Sequence, residues 1–98
     1  MPETDYRASR FCRVLGNPTA YQILKILRTS AKTPTELARE IGLSVKTISA
    51  TLRHLRQVNL VRYTTQTSSK IYFLKDQSLL RILSSIEKYI DIMRIKKW

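Results

Sequence analysis

The sequence predicts a mainly α-helical domain that carries a β-hairpin. Three observations support this fold class. The chain has 98 residues, which we expect to form one domain over residues 1–98. Two helix-start signals lie on either side of Gly42, and two segments rich in β-branched and aromatic residues follow them. The predicted order is therefore four helices, two strands and a fifth helix.

The first two predicted helices are separated by a short turn. Residues 5–15 carry spaced apolar side chains and three arginines at three-residue intervals, and Gly16 suits the end of this helix. Asn17 then suits the N-cap of the second helix, with Pro18 in its first turn, where the missing N–H group costs nothing.

The third and fourth predicted helices form a helix-turn-helix over residues 34–58. Thr33 and Glu36 are spaced for a capping box, and Gly42 can take the left-handed conformation that ends a helix. Ser44 can cap the fourth helix. Apolar residues at four- and three-residue spacing give that helix one buried face, formed by Ile48, Leu52 and Leu55.

The predicted hairpin, or wing, covers residues 60–74. Its strands are residues 60–65 and 70–74, joined by a polar loop that lacks the glycine of the commonest tight turns. Arg62 and Lys70 could lie opposite each other on the two strands. Two such cations would repel each other, which suggests a phosphate between them.

The last predicted helix presents an apolar stripe. Its residues recur at alternating four- and three-residue spacings from Leu79 to Met93, as in a heptad seam. A small domain cannot cover so wide a stripe alone, which favours a partner helix; the alternative is that the helix folds back onto its own core.

The charge distribution points to a polyanionic ligand. Eighteen Lys and Arg against seven Asp and Glu give a net charge of +11, and residues 43–75 contain no acidic residue. Nucleic acid is the first expectation and an anionic membrane surface the second. The longest apolar run, residues 71–74, is far too short to span a bilayer. Of the two polyanions, we expect nucleic acid and no membrane as the partner.

Two helices joined by a three-residue turn and followed by a hairpin describe a winged helix-turn-helix. In this motif the second helix enters the major groove of double-stranded DNA. The residues expected in the groove are Lys46, Thr47, Ser49, Ala50 and Arg53, and Ser44 at the start of the helix is a further expected DNA contact. Those expected on DNA phosphates are Arg56, Arg62, Ser69 and Lys70.

The sequence resembles the ArsR family of winged-helix repressors. Residues 15–24 read L-G-N-P-T-A-Y-Q-I-L, similar to the family opening L-x-[NDH]-P-T-R-x-x-I-L. Residues 36–49 read E-L-A-R-E-I-G-L-S-V-K-T-I-S, similar to its E-L-A-x-x-L-G-L-S-x-x-T-V-S helix-turn-helix. Residues 52–55 and 60–62 fit the segments that follow. The similarity covers about residues 15–74, and its helix-turn-helix part is shared with other winged-helix regulators.

The resemblance implies a homodimeric transcriptional repressor that occludes promoter DNA. It places dimerisation in residues 5–15 and 77–95, with a two-fold axis that would favour an inverted-repeat operator. The dimer contacts expected are Phe11, Leu79, Leu83, Ile86, Ile90 and Met93.

Family members that sense metals carry a pair of cysteines at the start of the third helix, or Asp and His residues on the last. This chain has Thr33-Pro34-Thr35-Glu36 at the first position and no His at the second. One Cys and one His are too few ligands for a soft metal. We therefore expect metal-independent regulation and no cofactor.

Three other functions stay open from the sequence. The fold could serve as a protein-interaction module in a larger assembly. It could bind single-stranded nucleic acid or RNA, although its aromatic residues look more like strand core. It could also be a thiol-responsive repressor, since the arginines beside Cys12 would favour a reactive thiolate.

An enzyme is not expected. The sequence has a single His and no glycine-rich phosphate loop, so it offers no readable pair of nucleophile and base. A lone cysteine and an acidic, non-hydrophobic N-terminus are typical of a cytoplasmic protein.

Overall fold

The computed structural model describes residues 2–96. The helices are α1 (Glu3–Leu15), α2 (Pro18–Leu27), α3 (Pro34–Ile41), α4 (Val45–Gln57) and α5 (Ser78–Lys96), and the strands are β1 (Val61–Gln66) and β2 (Ser69–Leu74). This order confirms the predicted winged helix-turn-helix. Helix α1 begins two residues earlier than predicted. The negative charges of Glu3 and Asp5 in its first turn stabilise the helix, because they lie at the positive end of the helix dipole.

The predicted helix caps are confirmed. The Asn17 side chain accepts a hydrogen bond from the Ala20 N–H group at 3.0 Å. Thr33 and Glu36 form a complete capping box, in which each side chain accepts from the other residue's backbone N–H group. Gly42 ends α3 with φ +83°, a left-handed conformation that residues with a Cβ rarely adopt.

The wing closes through a two-residue turn, tighter than the predicted four-residue link. Thr67 and Ser68 both have positive φ, at 47° and 71°, which matches a type I′ turn. A β-branched residue is a poor fit for this conformation. The strands run antiparallel, pairing Arg62 with Phe73 and Thr65 with Lys70. The predicted pairing of Arg62 with Lys70 is therefore wrong.

The base of the wing is fixed to the segment that precedes α3. Lys32 and Tyr72 form an isolated antiparallel bridge, with N–H to O=C hydrogen bonds of 3.1 and 2.8 Å. The Lys32 ammonium also lies 3.1 Å from the Glu40 carboxylate on α3. Strand β2 is therefore hydrogen-bonded on both edges near Tyr72.

The core lies where α2, α3 and α4 meet the start of α5 and the base of the wing. Its fully buried large side chains are Ile23, Leu24, Leu37, Ile48, Leu52, Leu55, Val61 and Leu83. Leu79 is only 5% exposed and Leu83 is fully covered by the protomer itself. This corrects the expectation that both residues contact a second chain, because the first turns of α5 complete their own core.

A polar cluster joins α5 to α2. The Glu87 carboxylate accepts a hydrogen bond from the Tyr21 hydroxyl at 3.0 Å and pairs with the Lys25 ammonium at 2.8 Å. Arg28 lies 3.8 Å away on the same carboxylate. The hydrogen bonds from Lys25 and Tyr21 lower the pKa of Glu87.

Helix α5 leaves apolar side chains uncovered on its other sides. Ile82 is 41% exposed, Tyr89 62% and Ile90 45%. Ile82, Ile86, Tyr89 and Met93 recur at four- and three-residue spacing and so share one face. Over residues 2–96, no helix combines the length and apolar character needed to cross a membrane.

Candidate nucleic-acid interface

Helix α4 separates a buried apolar face from an exposed polar one. Ile48, Leu52 and Leu55 are fully buried, so the rotation of the helix about its axis is fixed by the core. The opposite stripe follows four- and three-residue spacing and consists of Lys46, Ala50, Arg53 and Gln57, all exposed. Thr47 is exposed beside this stripe, while Ser49 is half-buried.

Ser44 positions the start of α4. Its hydroxyl accepts from the Thr47 N–H group at 3.1 Å and donates to the Thr47 hydroxyl at 3.0 Å. The Ser44 hydroxyl proton is therefore committed within the chain. Thr47 keeps its own hydroxyl proton to offer, so a ligand at this end of the helix would meet Thr47 and Lys46 more readily than Ser44.

Arg56 and Lys70 converge on one aromatic ring. The Arg56 guanidinium carbon lies 5.5 Å from the centroid of the Tyr63 ring, and the Lys70 ammonium lies 4.8 Å from it. Tyr63 in turn packs against Tyr72, with ring centroids 5.3 Å apart. The stacking holds a cation of α4 next to a cation of the wing.

The buried Tyr72 ring packs against Tyr63, next to the Arg56 guanidinium at the end of α4. Burial raises the pKa of the Tyr72 phenol, while the positive charges of Arg56 and Arg53 act in the opposite direction. The charges of both arginines therefore favour the ionised form of the Tyr72 phenol. The structure thus brings together three of the predicted DNA contacts, Arg53, Arg56 and Lys70.

The other two predicted DNA contacts of the wing, Arg62 and Ser69, lie on the face of the hairpin opposite to Tyr63. Side chains alternate along a strand and paired residues share a face, so Lys70 lies on the Tyr63 side while Arg62 and Ser69 lie on the opposite side. Arg62 and Lys70 cannot grip the same phosphate from one face, contrary to the arrangement suggested by the sequence.

The candidate surface keeps its positive charge uncompensated. Every ion pair of the described residues lies outside residues 43–75, at Arg7–Glu3, Lys25–Glu87, Arg28–Glu87, Lys32–Glu40 and Arg94–Asp91. The cations of α4 and the wing are therefore available for an anionic ligand.

Three exposed residues of this region were missed by the sequence reasoning. Gln57 extends the outward stripe of α4 by one turn, and the spacing from Arg53 could have revealed it. Leu43 and Val45, at the turn before α4, are 41% and 44% exposed. No sequence pattern distinguished these two apolar residues from core.

Comparison with known proteins supports the geometry. Residues 17–63 match the family model described as "Bacterial regulatory protein, arsR family". The match runs from the cap of α2 into the first wing strand and so includes the whole helix-turn-helix.

Just under half of the chain is therefore similar to the model of the ArsR family. The family model that residues 17–63 match is one of regulatory proteins. The comparison with curated proteins gives no match.

Solved structures share the fold of this chain over most of its length. NolR from Sinorhizobium fredii is 28% identical, with a TM-score of 0.81 over 89% of this chain and 87% of its own. Rv0081 of M. tuberculosis is 19% identical, with a TM-score of 0.92 over 99% and 98%.

A third solved structure is described as homodimeric. It is the winged helix-turn-helix DNA-binding domain of Mb0332 from Mycobacterium bovis, a possible ArsR-family transcriptional regulator. It is 19% identical, with a TM-score of 0.82 over 100% of this chain and 94% of its own.

The predicted dimer contacts and the predicted thiol Cys12 differ in how exposed they are. Ile90 is exposed on α5 and Ile86 and Met93 are half-buried, whereas Phe11 is half-buried against the core of its own protomer. Cys12 is exposed on α1. Within residues 2–96, no three side chains of His, Cys, Asp or Glu come together as a metal site would require.

Proposed function

We propose that this protein is a homodimeric, sequence-specific transcriptional repressor that binds double-stranded DNA without a metal ion. The observation that carries the proposal is the outward stripe of α4, on which Lys46 and Arg53 stand exposed while the opposite face is locked into the core. A helix held in this way presents one fixed set of side chains to the major groove, which is what recognition of a DNA sequence requires.

The wing would add contacts to the DNA backbone. Arg56 and Lys70 flank Tyr63 and form one cationic surface with α4, suited to phosphates beside the major groove. We expect Lys46, Thr47, Ala50 and Arg53 to read base edges, with Ser49 close behind them and Ser44 acting as the cap of the helix. Arg62 and Ser69 would reach a neighbouring phosphate from the other face of the wing.

The dimer would form through α5, with the side of α1 that faces away from α4 beside it. In the stripe of Ile82, Ile86, Tyr89 and Met93, the first and third residues are exposed and the other two are half-buried in the protomer, and a second copy is its simplest cover. Two-fold pairing would set two recognition helices about one DNA turn (roughly 34 Å) apart, so the operator would be an inverted repeat. Such a complex on a promoter would exclude other proteins. Its place would be the cytoplasm, where bacterial promoters lie.

Selection from random DNA, followed by a binding titration, tests the proposal. We expect an inverted repeat with half-sites about one turn apart. If about eight phosphates are neutralised per dimer, log affinity should fall with log salt at a slope of about −7. A slope shallower than about −2 would contradict the proposed surface, because it would mean that few phosphates are bound.

The variant Arg53→Ala tests the recognition stripe directly. Loss of a base or phosphate contact should weaken operator binding about tenfold or more. Lys88→Ala, on α5, removes the same charge outside α4 and the wing and serves as the matched control. Equal affinity in the two variants would remove Arg53 from the site.

Cys12 supports a second candidate function, because its side chain is exposed. Oxidation of this thiol could then regulate DNA binding. Equal operator affinity of oxidised and reduced protein, with Cys12→Ser as the control, would exclude the thiol-responsive alternative.

A further inference from the structure

A groove of about 650 Å³ lies between α1 and the end of α4. Its apolar floor is formed by Phe11, Val14, Val58 and Leu60. Pockets that bind small organic molecules typically measure about 300–1,000 Å³ and combine an apolar lining with a few polar groups. The size and the floor of this groove therefore suit a small organic ligand.

The rim of the groove is cationic. Arg7, Arg10 and Arg13 line it from α1, and His54 lines it from α4. Within residues 2–96, no Asp or Glu side chain is among the groove-lining residues. A ligand in this groove would therefore meet positive charge on one side and hydrocarbon on the other.

Two of the three arginines, Arg10 and Arg13, form no ion pair with a carboxylate of the described residues. Arg7 pairs with Glu3 at 2.9 Å, but both side chains are about three-quarters exposed, so water screens that pair strongly. Arg10 stacks on the Tyr6 ring at 5.8 Å, which orients the guanidinium without neutralising it. Arg13 makes no ion pair with any carboxylate of the described residues.

We propose that this groove binds a small organic anion with a carboxylate head and an aromatic or aliphatic body. The carboxylate would lie at Arg10 and Arg13, since guanidinium groups match its two oxygens in geometry as well as in charge. The body would lie on Phe11, Val14 and Leu60. A neutral ligand would make no ion pair with the arginines, and a simple inorganic anion would leave the apolar residues of the groove uncovered.

The groove joins two elements that matter for DNA binding, and this part of the inference rests on the proposed function. His54 and Gln57 belong to α4, and Gln57 is also the last residue of its outward stripe. Negative charge placed beside Gln57 would repel DNA phosphates and neutralise nearby arginines. The bound anion should therefore weaken operator binding, and DNA should weaken anion binding by the same factor.

The binding test uses the full chain without DNA and 1-naphthoate as the probe. In an amide NMR titration, we expect saturable shifts confined to residues 7–17 and 54–60. The neutral 1-naphthylmethanol should bind about tenfold more weakly because it lacks the carboxylate, and acetate should give no saturable shifts.

Paired variants separate the groove from general charge effects. Arg10→Gln with Arg13→Gln should weaken naphthoate binding about tenfold, whereas Arg81→Gln with Lys88→Gln, which removes the same charge from α5, should leave it unchanged. The proposal is overturned if both double variants bind equally, if no shift saturates, or if the shifts map to the apolar stripe of α5.

A second measurement tests the regulatory part alone. At saturating 1-naphthoate, the operator affinity of the native protein should fall about fivefold, as typical coupling free energies allow. An unchanged affinity would refute regulation while leaving the binding site intact. Because the NMR titration contains no DNA, failure of the proposed DNA-binding function would not affect its result.

Discussion

Helices α4 and α5 are both amphipathic, but they leave opposite chemistry exposed. Helix α4 buries three aliphatic side chains completely and presents Lys46, Arg53 and Arg56 to the outside. Helix α5 buries Leu79 and Leu83 in its first turns and then exposes apolar residues along the rest of its length. The buried face of each helix explains how it packs. The exposed face indicates its partner, a polyanion for α4 and another apolar surface for α5.

The largest expected effect comes from charging the apolar stripe of α5. Ile82→Asp with Tyr89→Asp should raise the dimer dissociation constant at least about 100-fold, because like charges would meet across the two-fold axis. Sedimentation velocity measures this directly. Both residues are exposed in the protomer, so its core should survive.

A matched variant sharpens this test. Arg81→Asp with Ser84→Asp adds acidic residues to another exposed side of α5 and should leave the dimer intact. If the two double variants dissociate equally, the stripe is not the dimer interface. Monomeric protein should also lose most of its affinity for an inverted repeat, because each half-site would then be bound separately.

The two faces of the wing give the next largest effect. Lys70→Ala should weaken DNA binding about fivefold, because it removes a cation from the surface shared with α4. Arg62→Ala, on the opposite face, should cost about twofold or less. Fluorescence anisotropy on one operator measures both. A larger loss for Arg62→Ala would show that the DNA lies against the other face of the hairpin.

The wing turn offers a gain in stability rather than a loss. Thr67→Asn with Ser68→Gly supplies the residues that a type I′ turn prefers and should raise the free energy of unfolding by about 1 kcal/mol. Thr64→Asn with Ser69→Gly makes the same replacements in the flanking strands and should destabilise the hairpin. Urea unfolding compares the two. A destabilised turn variant would contradict the observed backbone conformation.

The smallest effect is expected at Glu87. Its pKa is lowered in the folded protein by hydrogen bonds from Lys25 and Tyr21, so its contribution is complete above the ordinary carboxyl pKa and is lost as pH falls through the folded value. About a third of the side chain is exposed, and solvent screening limits the contribution to about 1 kcal/mol or less.

Unfolding of Glu87→Gln at several pH values measures this contribution. The variant should be less stable than the native protein near pH 7, and the difference should shrink in acid. A constant difference from neutral to acidic pH would mean that the charge of Glu87 plays no part.

Local signals predicted most of this fold. The helix caps depend only on contacts within a few residues along the chain. The structure confirms those predicted at Asn17, at Thr33 with Glu36, at Gly42 and at Ser44. The apolar spacing of α4 likewise predicted which face is buried. These features depend on backbone hydrogen bonding and helical periodicity, which short sequence windows contain.

Features that depend on tertiary packing could not be predicted in the same way. The heptad spacing of α5 is real, but periodicity alone cannot say that Leu79 and Leu83 face their own protomer while Tyr89 does not. The wing turn lacks glycine, so its length and the pairing of Arg62 with Phe73 had no local signal. The groove between α1 and α4 exists only once two segments distant in sequence meet.

The bridge between Lys32 and Tyr72 makes the root of the wing and the entrance to the helix-turn-helix one mechanical unit. We therefore expect motion of the hairpin to be greatest near Thr67 and Ser68, and Tyr63, with Arg56 of α4 on its ring, to keep its place beside α4. On the proposed function, the tip of the wing would adjust to a DNA duplex while its base stays aligned with α4.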